Sequence, residues 1–385
     1  MGYVAVKGGT RAIEESIKRL KYERVHQGQT LEVDRIKAGM RGLIDQVMSE
    51  SSLYNETLAA LAIKQAEGNP EEAVFLLRAY RSTVPRKHYS RVIESDQMKV
   101  ERRISASFKD IPGGQILGAT TDYTHRLLDF ELMKETDQVI QEWLHRYQME
   151  NCPVEELQPN QTENCLNKKA PTFPKVLDYL RKEGLIPPRE KNNLEPDDVT
   201  RESLGFPSSR SQRLQVLTRG ETGAVTSLAY AVIRGYGALH PTVGELRVGT
   251  LPVTVDHPTE VGDEDDAFYI GEIKVTEVEM LMPFSAEKEY GKKEMEFEIG
   301  YGLVFGQNET KAIAMGILDN CLEHPDSEFP SHNEEFVLYH IDSVESTGFI
   351  SHLKMPHYVT FQSKLDSVRK TKKEGMKNGQ EVKSG

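Results

Sequence analysis

Two histidines, His352 and His357, lie in the run Ser351-His352-Leu353-Lys354-Met355-Pro356-His357-Tyr358. Imidazole is a frequent zinc ligand. Five residues apart, the two rings do not share a helix face, which requires a spacing of about four. Pro356 disfavours helix at Met355. In a turn the rings can converge on one metal, with Lys354 close enough to hold a phosphate oxygen. Two histidines leave a zinc site open, so water, substrate or a second chain must complete it. Two unrelated surface or capping histidines are the alternative. His340 and Asp342, on one side of a possible strand, are candidate outer partners.

A second constellation surrounds Lys109-Asp110-Ile111-Pro112-Gly113-Gly114-Gln115. The turn at Gly113 and Gly114 leaves backbone N–H groups free to approach an anion. Arg102, Arg103 and Lys109 precede it, and Asp122-Tyr123-Thr124-His125-Arg126 follows at a helix start. Together these residues can grip a triphosphate, or the turn is plain and its basic residues pair with the surplus carboxylates. Arg234-Gly235-Tyr236-Gly237 runs into His240-Pro241, with Glu245 and Arg247 beyond. There Tyr236 and His240 can stack on a base or donate to a leaving group, or the segment is a turn between helix and strand. Gly300-Tyr301-Gly302-Leu303-Val304-Phe305-Gly306 is spaced G-x-G-x-x-x-G, without a following G-K-S/T. It suits a strand packed closely on another backbone better than a nucleotide loop. Glu260 and Asp263 to Asp266 lack calcium-loop spacing, and no G-x-S-x-G or signature nucleophilic Cys occurs.

The elements that must position these residues change along the chain. Helices are predicted after Gly8-Gly9 (Ile13, Ile17, Leu20), around Leu58–Ala62, and from Pro70 through Tyr80. Alternation from Met98 to Phe108 predicts a strand. A helix is expected from about Thr124 to Gln148, through Leu127, Leu128, Phe130 and Leu132. Residues 150–170 read as a surface excursion. Helices resume near Phe173–Lys182 and from Ser209 to Ile233, broken at Gly220. Glu245–Asp256 and Tyr269–Met282 read as an antiparallel strand pair and Met295–Phe305 as a third strand. Asn308 caps a helix over Glu309–Leu322, Phe336–Ile350 holds a strand or helix pair, and a last helix follows Pro356. The fold class is α+β, a helical N-terminal part followed by a mainly antiparallel sheet with flanking helices. Four regions result: helical 1–97, mixed 98–234, sheet-rich 235–363 and a basic tail 364–385.

The composition excludes several classes. With 60 acidic and 48 basic residues in 385, the formal charge is −12. The tail from Lys364 carries +4 and the remainder −16, which disfavours a nucleic-acid binder. Arg369, Lys370, Lys372 and Lys373 are either a solvated helix end fraying into a tail or a patch for an acidic partner surface or a polyphosphate. No apolar run approaches the ~18 residues of a membrane span. Met1 to Gly9 lacks a secretory signal, and Cys152, Cys165 and Cys321 read as reduced thiols, so a cytoplasmic location is expected.

Taken together, these stretches resemble the I subunit of the bacterial carbon–phosphorus lyase core complex. The resemblance rests on Tyr3-Val4-Ala5-Val6-Lys7-Gly8-Gly9, Phe75-Leu76-Leu77-Arg78-Ala79-Tyr80-Arg81, Glu101-Arg102-Arg103-Ile104-Ser105-Ala106 and the segments from Lys109 to Gln115 and Asp122 to Phe130. Arg234 to Gly237, Gly300 to Gly306 and Ser351 to Val359 complete it, in one order over nearly the whole chain. The excursion near 150–170 and the basic tail depart from the family pattern. The resemblance implies that, with the G, H and L subunits, a phosphonate such as methylphosphonate displaces adenine from ATP at the anomeric carbon, giving ribose 1-phosphonate 5-triphosphate. It implies a purine nucleosidase when the subunit is alone. It also implies self-association in a two-fold core of G, H, I and J subunits, and zinc on His352 and His357 at the boundary with J.

Such chemistry passes through an oxocarbenium-like ribose, helped by protonating the purine, placing a carboxylate near the sugar and orienting the nucleophile. The candidate carboxylates are Asp110, Asp122, Asp129 and Glu245, with His125 or His240 to protonate the base. Arg102, Arg103, Lys109 and Arg126 are candidates for the triphosphate, beside Gly113, Gly114 and Lys354. A competing expectation is a scaffold that lends the histidine pair to a neighbouring site. A pocket within the chain favours the enzyme, and a flat interface favours the scaffold.

Overall fold

The structure is a computed structural model that describes residues 9–151, 173–188, 195–235, 240–256, 267–287, 293–324 and 329–381. Tyr3–Val6, the excursion near 150–170, Tyr236, Gly237, Cys152, Cys165 and the acidic run 260–266 lie outside them.

After α1 (Gly9–Val25), four short helices build the N-terminal unit: α2 (Val33–Gly39), α3 (Arg41–Ser51), α4 (Glu56–Gln65) and α5 (Pro70–Thr83). Asn55 and Asn69 cap α4 and α5 by accepting from Leu58 N and Glu72 N, and Pro70 fills a first-turn position where no backbone donor is needed. Ile44, Val47, Ile63, Val74 and Leu77 form a core of their own between these helices. One arginine ties this unit to the rest. Arg78 donates to Glu50 O at the end of α3, to Arg219 O, and to both oxygens of Asp342. Helix C-termini leave carbonyls without partners, and a cation there is favoured by the dipole.

The sheet is a four-stranded antiparallel meander in the order β1 (Lys99–Ile104), β2 (Thr242–Val255), β3 (Phe268–Glu287), β4 (Lys293–Phe305). Its first strand precedes residue 234 and the other three follow it, so the sheet draws on both sides of that boundary. The α+β reading therefore holds, with 13 α-helices among the described residues.

One sheet face is apolar. Leu246, Val248, Val278, Met280 and Val304 pack against α9 (Thr222–Gly235), α10 (Glu309–Glu323) and α11 (Glu334–His340). The glycine run is the close strand–helix contact expected of it. A Cβ on Gly300 would lie 1.8 Å from Gly316 O, and one on Gly302 2.0 Å from Ala312 O. The opposite face is charged. Strand alternation puts Glu245 and Arg247 of β2, Glu277 and Glu279 of β3 and Tyr301 of β4 there. Lys175 and α7 (Asp178–Lys182) cover them, anchored by Val176, Leu177, Leu180 and Ile186.

Helix α8 (Arg210–Arg219) begins with a capping box between Ser209 and Gln212 and, as expected, breaks from α9 at Gly220. The segment 336–350 resolves into a helix pair, α11 and α12 (Ser343–His352), and α13 spans Tyr358–Glu381. One expectation is corrected. The helix foreseen from Thr124 is instead irregular chain, a 3-10 turn over Phe130–Lys134 and then α6 (Asp137–Asn151). Arg126 takes a positive φ of 51°, Asp129 caps the turn and Thr136 Oγ1 accepts from Val139 N, so helix begins only past Thr136. The strand foreseen to Phe108 ends at Ile104, where Ser105 turns its hydroxyl onto Gly244 O.

Candidate functional site

Where α3 meets the turn between β4 and α10, a cleft of about 850 Å³ opens. That lies within the ~300–1,000 Å³ range of small-ligand sites. Lys37, Arg41 and Asp45 line one wall, Gln307 to Thr310 a second, and Thr120 to Asp122 with Arg126 a third, with Lys274 also facing it.

Each wall has a local cause. Gly306 ends β4 with φ at 69°, and a Cβ there would lie 2.1 Å from Asp45 Cγ. The glycine therefore lets the Asp45 carboxyl sit against the turn, where Gln307 N donates to Asp45 Oδ2 at 2.9 Å. Burial pushes the Asp45 carboxyl above the usual carboxylate range, against the lowering effect of that hydrogen bond and of Lys274. Asn308 caps α10 by accepting from Lys311 N. Behind it, the enclosed Lys311 ammonium donates to Thr218 O and Gly220 O at 2.6 Å each. Burial brings its pKa down to about 8, with Glu50 opposing.

The third wall hangs on Arg102. Strand alternation turns the neighbouring Arg102 and Arg103 to opposite sides of β1, and a register shift between Val100 and Arg102 sets which side each takes. Arg102 reaches Glu309 at 2.9 Å and Asp122 at 2.7 Å, and bonds Leu117 O. Asp122 then meets Arg126 at 3.5 Å. Arg102, Asp122 and Arg126, all singled out from sequence, thus form one chain of charges at the cleft.

Arg103 and Glu245 lie elsewhere. They pair at 2.6 Å with side chains 0% and 2% exposed, and Glu245 also accepts from Val176 N. Arg103 donates its remaining bonds to Pro112 O and Pro174 O. In the same layer Glu277 binds Lys175 at 2.6 Å and Tyr301 Oη at 2.9 Å and pairs with Arg247. Burial opposes ionisation of Glu277, but Arg247 and Lys175 hold its carboxyl down at about 2.

Lys109, Asp110, Gly113 and Gly114 are exposed and lie outside the cleft wall, on a loop pinned by Gln115 to Ser105 and Phe108. Phe173 occupies the space beside Gly113. His125, His240 and Asp129 are also outside the wall, and His240 Nδ1 is bonded to Pro241 O. Sequence reasoning missed Arg41 and Asp45, one turn apart on α3, together with Lys37, Lys274 and Glu309. One signal was available. Arg41 begins α3 without an acidic residue in the first turn, placing a cation at the positive end of the dipole.

The histidine pair forms a separate surface at the α12–α13 turn. The rings of His352 and His357 lie 5.4 Å apart between centroids. His352 Nδ1 bonds Phe349 O and His357 Nδ1 bonds Met355 O, which leaves both Nε2 atoms for another partner. Lys354, in the turn between them, is exposed. Asp342 is engaged by Arg78 and caps α12, while His340 Nδ1 bonds Phe336 O.

The model of the family described as Bacterial phosphonate metabolism protein (PhnI) matches residues 2–375. The chain belongs to this family. A relative from Stutzerimonas stutzeri, named putative C-P lyase subunit protein HtxH, is 44% identical over 378 residues, 96% of either chain. Two relatives are named alpha-D-ribose 1-methylphosphonate 5-triphosphate synthase subunit PhnI. That of Rhizobium meliloti (strain 1021) is 42% identical over 97% of this chain and 95% of its own length. That of Escherichia coli (strain K12) is 41% identical over 97% and 99%. Among the described residues no helix is long and apolar enough to cross a membrane.

Proposed function

We propose that this PhnI-family chain carries the ribosyl transfer of phosphonate catabolism. A phosphonate displaces adenine from ATP at C1′ to give ribose 1-phosphonate 5-triphosphate, and water takes its place when the chain acts alone. The observation that supports this most is the cleft, a ligand-sized space where Asp122 and Arg126 face Asp45, Arg41 and Lys274. Arg41, Lys37, Lys274 and Arg126 offer cations for the triphosphate. Asp122 and Glu309, oriented by Arg102, offer carboxylates to stabilise positive charge on the ribose. Arg103 and Glu245 serve the site by holding the sheet beneath β1. Methylphosphonate is a substrate on this reading, consistent with the names of the two synthase relatives.

Zinc fits His352 and His357, whose Nε2 atoms are both available. No group of three or more His, Cys, Asp or Glu arranged for a metal occurs among the described residues, so the remaining positions fall to substrate or to a neighbouring chain. Bound there, zinc would supply positive charge for a phosphonate or phosphate oxygen, and Lys354, exposed in the turn between the two histidines, is the candidate to share it. Metal analysis of the full chain should show zinc in the wild type and less in His352→Ala; equal content would remove the pair as ligands.

The chain acts in the cytoplasm as one subunit of an assembly with the G, H, J and L subunits and a second copy of itself, and takes neither nucleic acid nor membrane as partner. Its apolar exposure supports assembly: α1 and α6 bury no residue, and Phe349, Leu353 and Val359 stand exposed around the histidines. The same surfaces favour a second reading, a scaffold that lends the histidine pair to a neighbouring active site. Chromatography of ATP incubated with the chain, alone and with its partners and methylphosphonate, separates the two. Free adenine supports the enzyme; none even in the full assembly leaves the scaffold.

A further inference from the structure

The reaction above requires a proton for the departing purine, and neither His125 nor His240 lines the cleft. Asp45 does. Its carboxyl is seated against Gly306, with one oxygen fixed by the backbone N–H of Gln307 and the other, Oδ1, free of any such bond among the described residues. We propose that Asp45 is the acid that protonates the leaving base in this cleft, an inference that rests on the purine-displacement reading.

The geometry suits the role. A proton donor to a glycosidic leaving group needs a fixed orientation and partial removal from water, so that it retains its proton near the working pH. Gly306 provides the first by admitting the carboxyl where any side chain would displace it. Burial provides the second and shifts the carboxyl towards the protonated form. The charged groups around Asp45 come from three elements: Arg41 on α3, Glu56 on α4 and Lys274 on β3. Glu56 favours the protonated form, while Arg41 and Lys274 oppose it. A bound triphosphate on Arg41 and Lys274 would neutralise that opposition, so substrate itself would raise the proton affinity of Asp45. Asp122, Arg126, Glu309 and Lys37 complete the charged lining.

The step balances. The C1′–N9 bond breaks with its electron pair moving into the base, while the Asp45 Oδ1 proton passes to N7. An oxygen of the phosphonate monoanion, or of water, forms the new bond to C1′. The hydroxyl proton of that phosphonate, or one proton of that water, returns to the Asp45 carboxylate.

The test compares wild type with Asp45→Asn, full chain with partner subunits, on ATP and on the 7-methylated form of the same nucleotide. The methylated base departs without protonation. Asn retains an oxygen for the Gln307 N–H, which favours folding of the variant. The expected result is a loss of roughly 10²–10⁴-fold in kcat on ATP and little change on the methylated nucleotide. The wild-type kcat on ATP falls as pH rises through the Asp45 pKa, and the variant lacks that limb. Full activity of Asp45→Asn on ATP overturns the inference while leaving the proposed reaction standing. Equal loss on both nucleotides overturns it too, by giving Asp45 a binding or structural role. No purine release by wild type from either nucleotide removes the reaction itself.

Discussion

Two neighbouring arginines on β1 have opposite fates. Arg103 is sealed with Glu245 in the charged layer beneath Lys175 and α7, whereas Arg102 serves the rim of an open cleft through Asp122 and Glu309. In the sealed layer Arg103, Arg247, Lys175 and Arg181 are each engaged by a carboxylate, from Glu245, Glu277, Glu279 or Asp178, and Arg103 also by backbone carbonyls. At the cleft the charge chain ends on Arg126, two-thirds exposed and held, among the described residues, by one long contact to Asp122. Charge density alone therefore does not mark a site. The difference lies in which charges retain capacity for a ligand.

The largest expected effect comes from breaking the sealed layer. Arg103→Met leaves the Glu245 carboxylate buried and without its cation, a loss of roughly 3–5 kcal/mol in urea unfolding. Purine release should fall only in step with the folded fraction. A variant of undiminished stability would mean that the layer is not the support described here.

The mirror experiment is Arg126→Glu at the cleft. Losing a charge-assisted phosphate contact worth ~1.5–3 kcal/mol should raise the KM for ATP about 10–100-fold. The melting temperature should stay near that of the wild type, since the side chain is largely exposed. An unchanged KM would take Arg126 out of the site. Asp122→Asn should act between the two, lowering kcat by removing a carboxylate near the sugar while costing Arg102 one of its partners.

The smallest effect separates the regions by pH. Glu277 sits at about 2 in the folded chain, below its ordinary value of 4.5. A depressed carboxylate contributes stability that is complete above its unfolded pKa and is lost as pH falls through the folded one. Melting temperature should therefore drop from about pH 5 towards pH 2, and Glu277→Gln should show a shallower slope. Asp45 has the opposite sign, because its carboxyl is raised by burial. Its contribution is present below its unfolded pKa and is lost as pH rises through the folded value. Equal slopes for wild type and Glu277→Gln would contradict the account of the sealed layer.

Much of the fold was legible because the signals were local. Pro70 and Asn308 start helices where their chemistry places them, and Gly300 and Gly302 mark the strand that touches α10. The region 117–136 was not legible. Leu127 and Leu128 have the spacing of a buried helix face, yet both are exposed on irregular chain beside an Arg126 of positive φ. Of the candidate site, Arg102, Asp122 and Arg126 were found from a matching segment. Whether Arg102 or Arg103 faced the cleft turned on a strand irregularity that spacing does not encode. Arg41 and Asp45 had no motif; the fold brings them some 260 residues along the chain to Gln307, as the hydrogen bond from Gln307 N to Asp45 records.

The most direct test of the central claim is adenine release from ATP, measured chromatographically for wild type and Arg126→Glu, alone and with partner subunits and methylphosphonate. Release by wild type, with the variant recovering at high ATP, is the result predicted. Absence of adenine from the complete wild-type assembly, or release by both proteins with the same KM, would contradict the placing of the chemistry in this cleft.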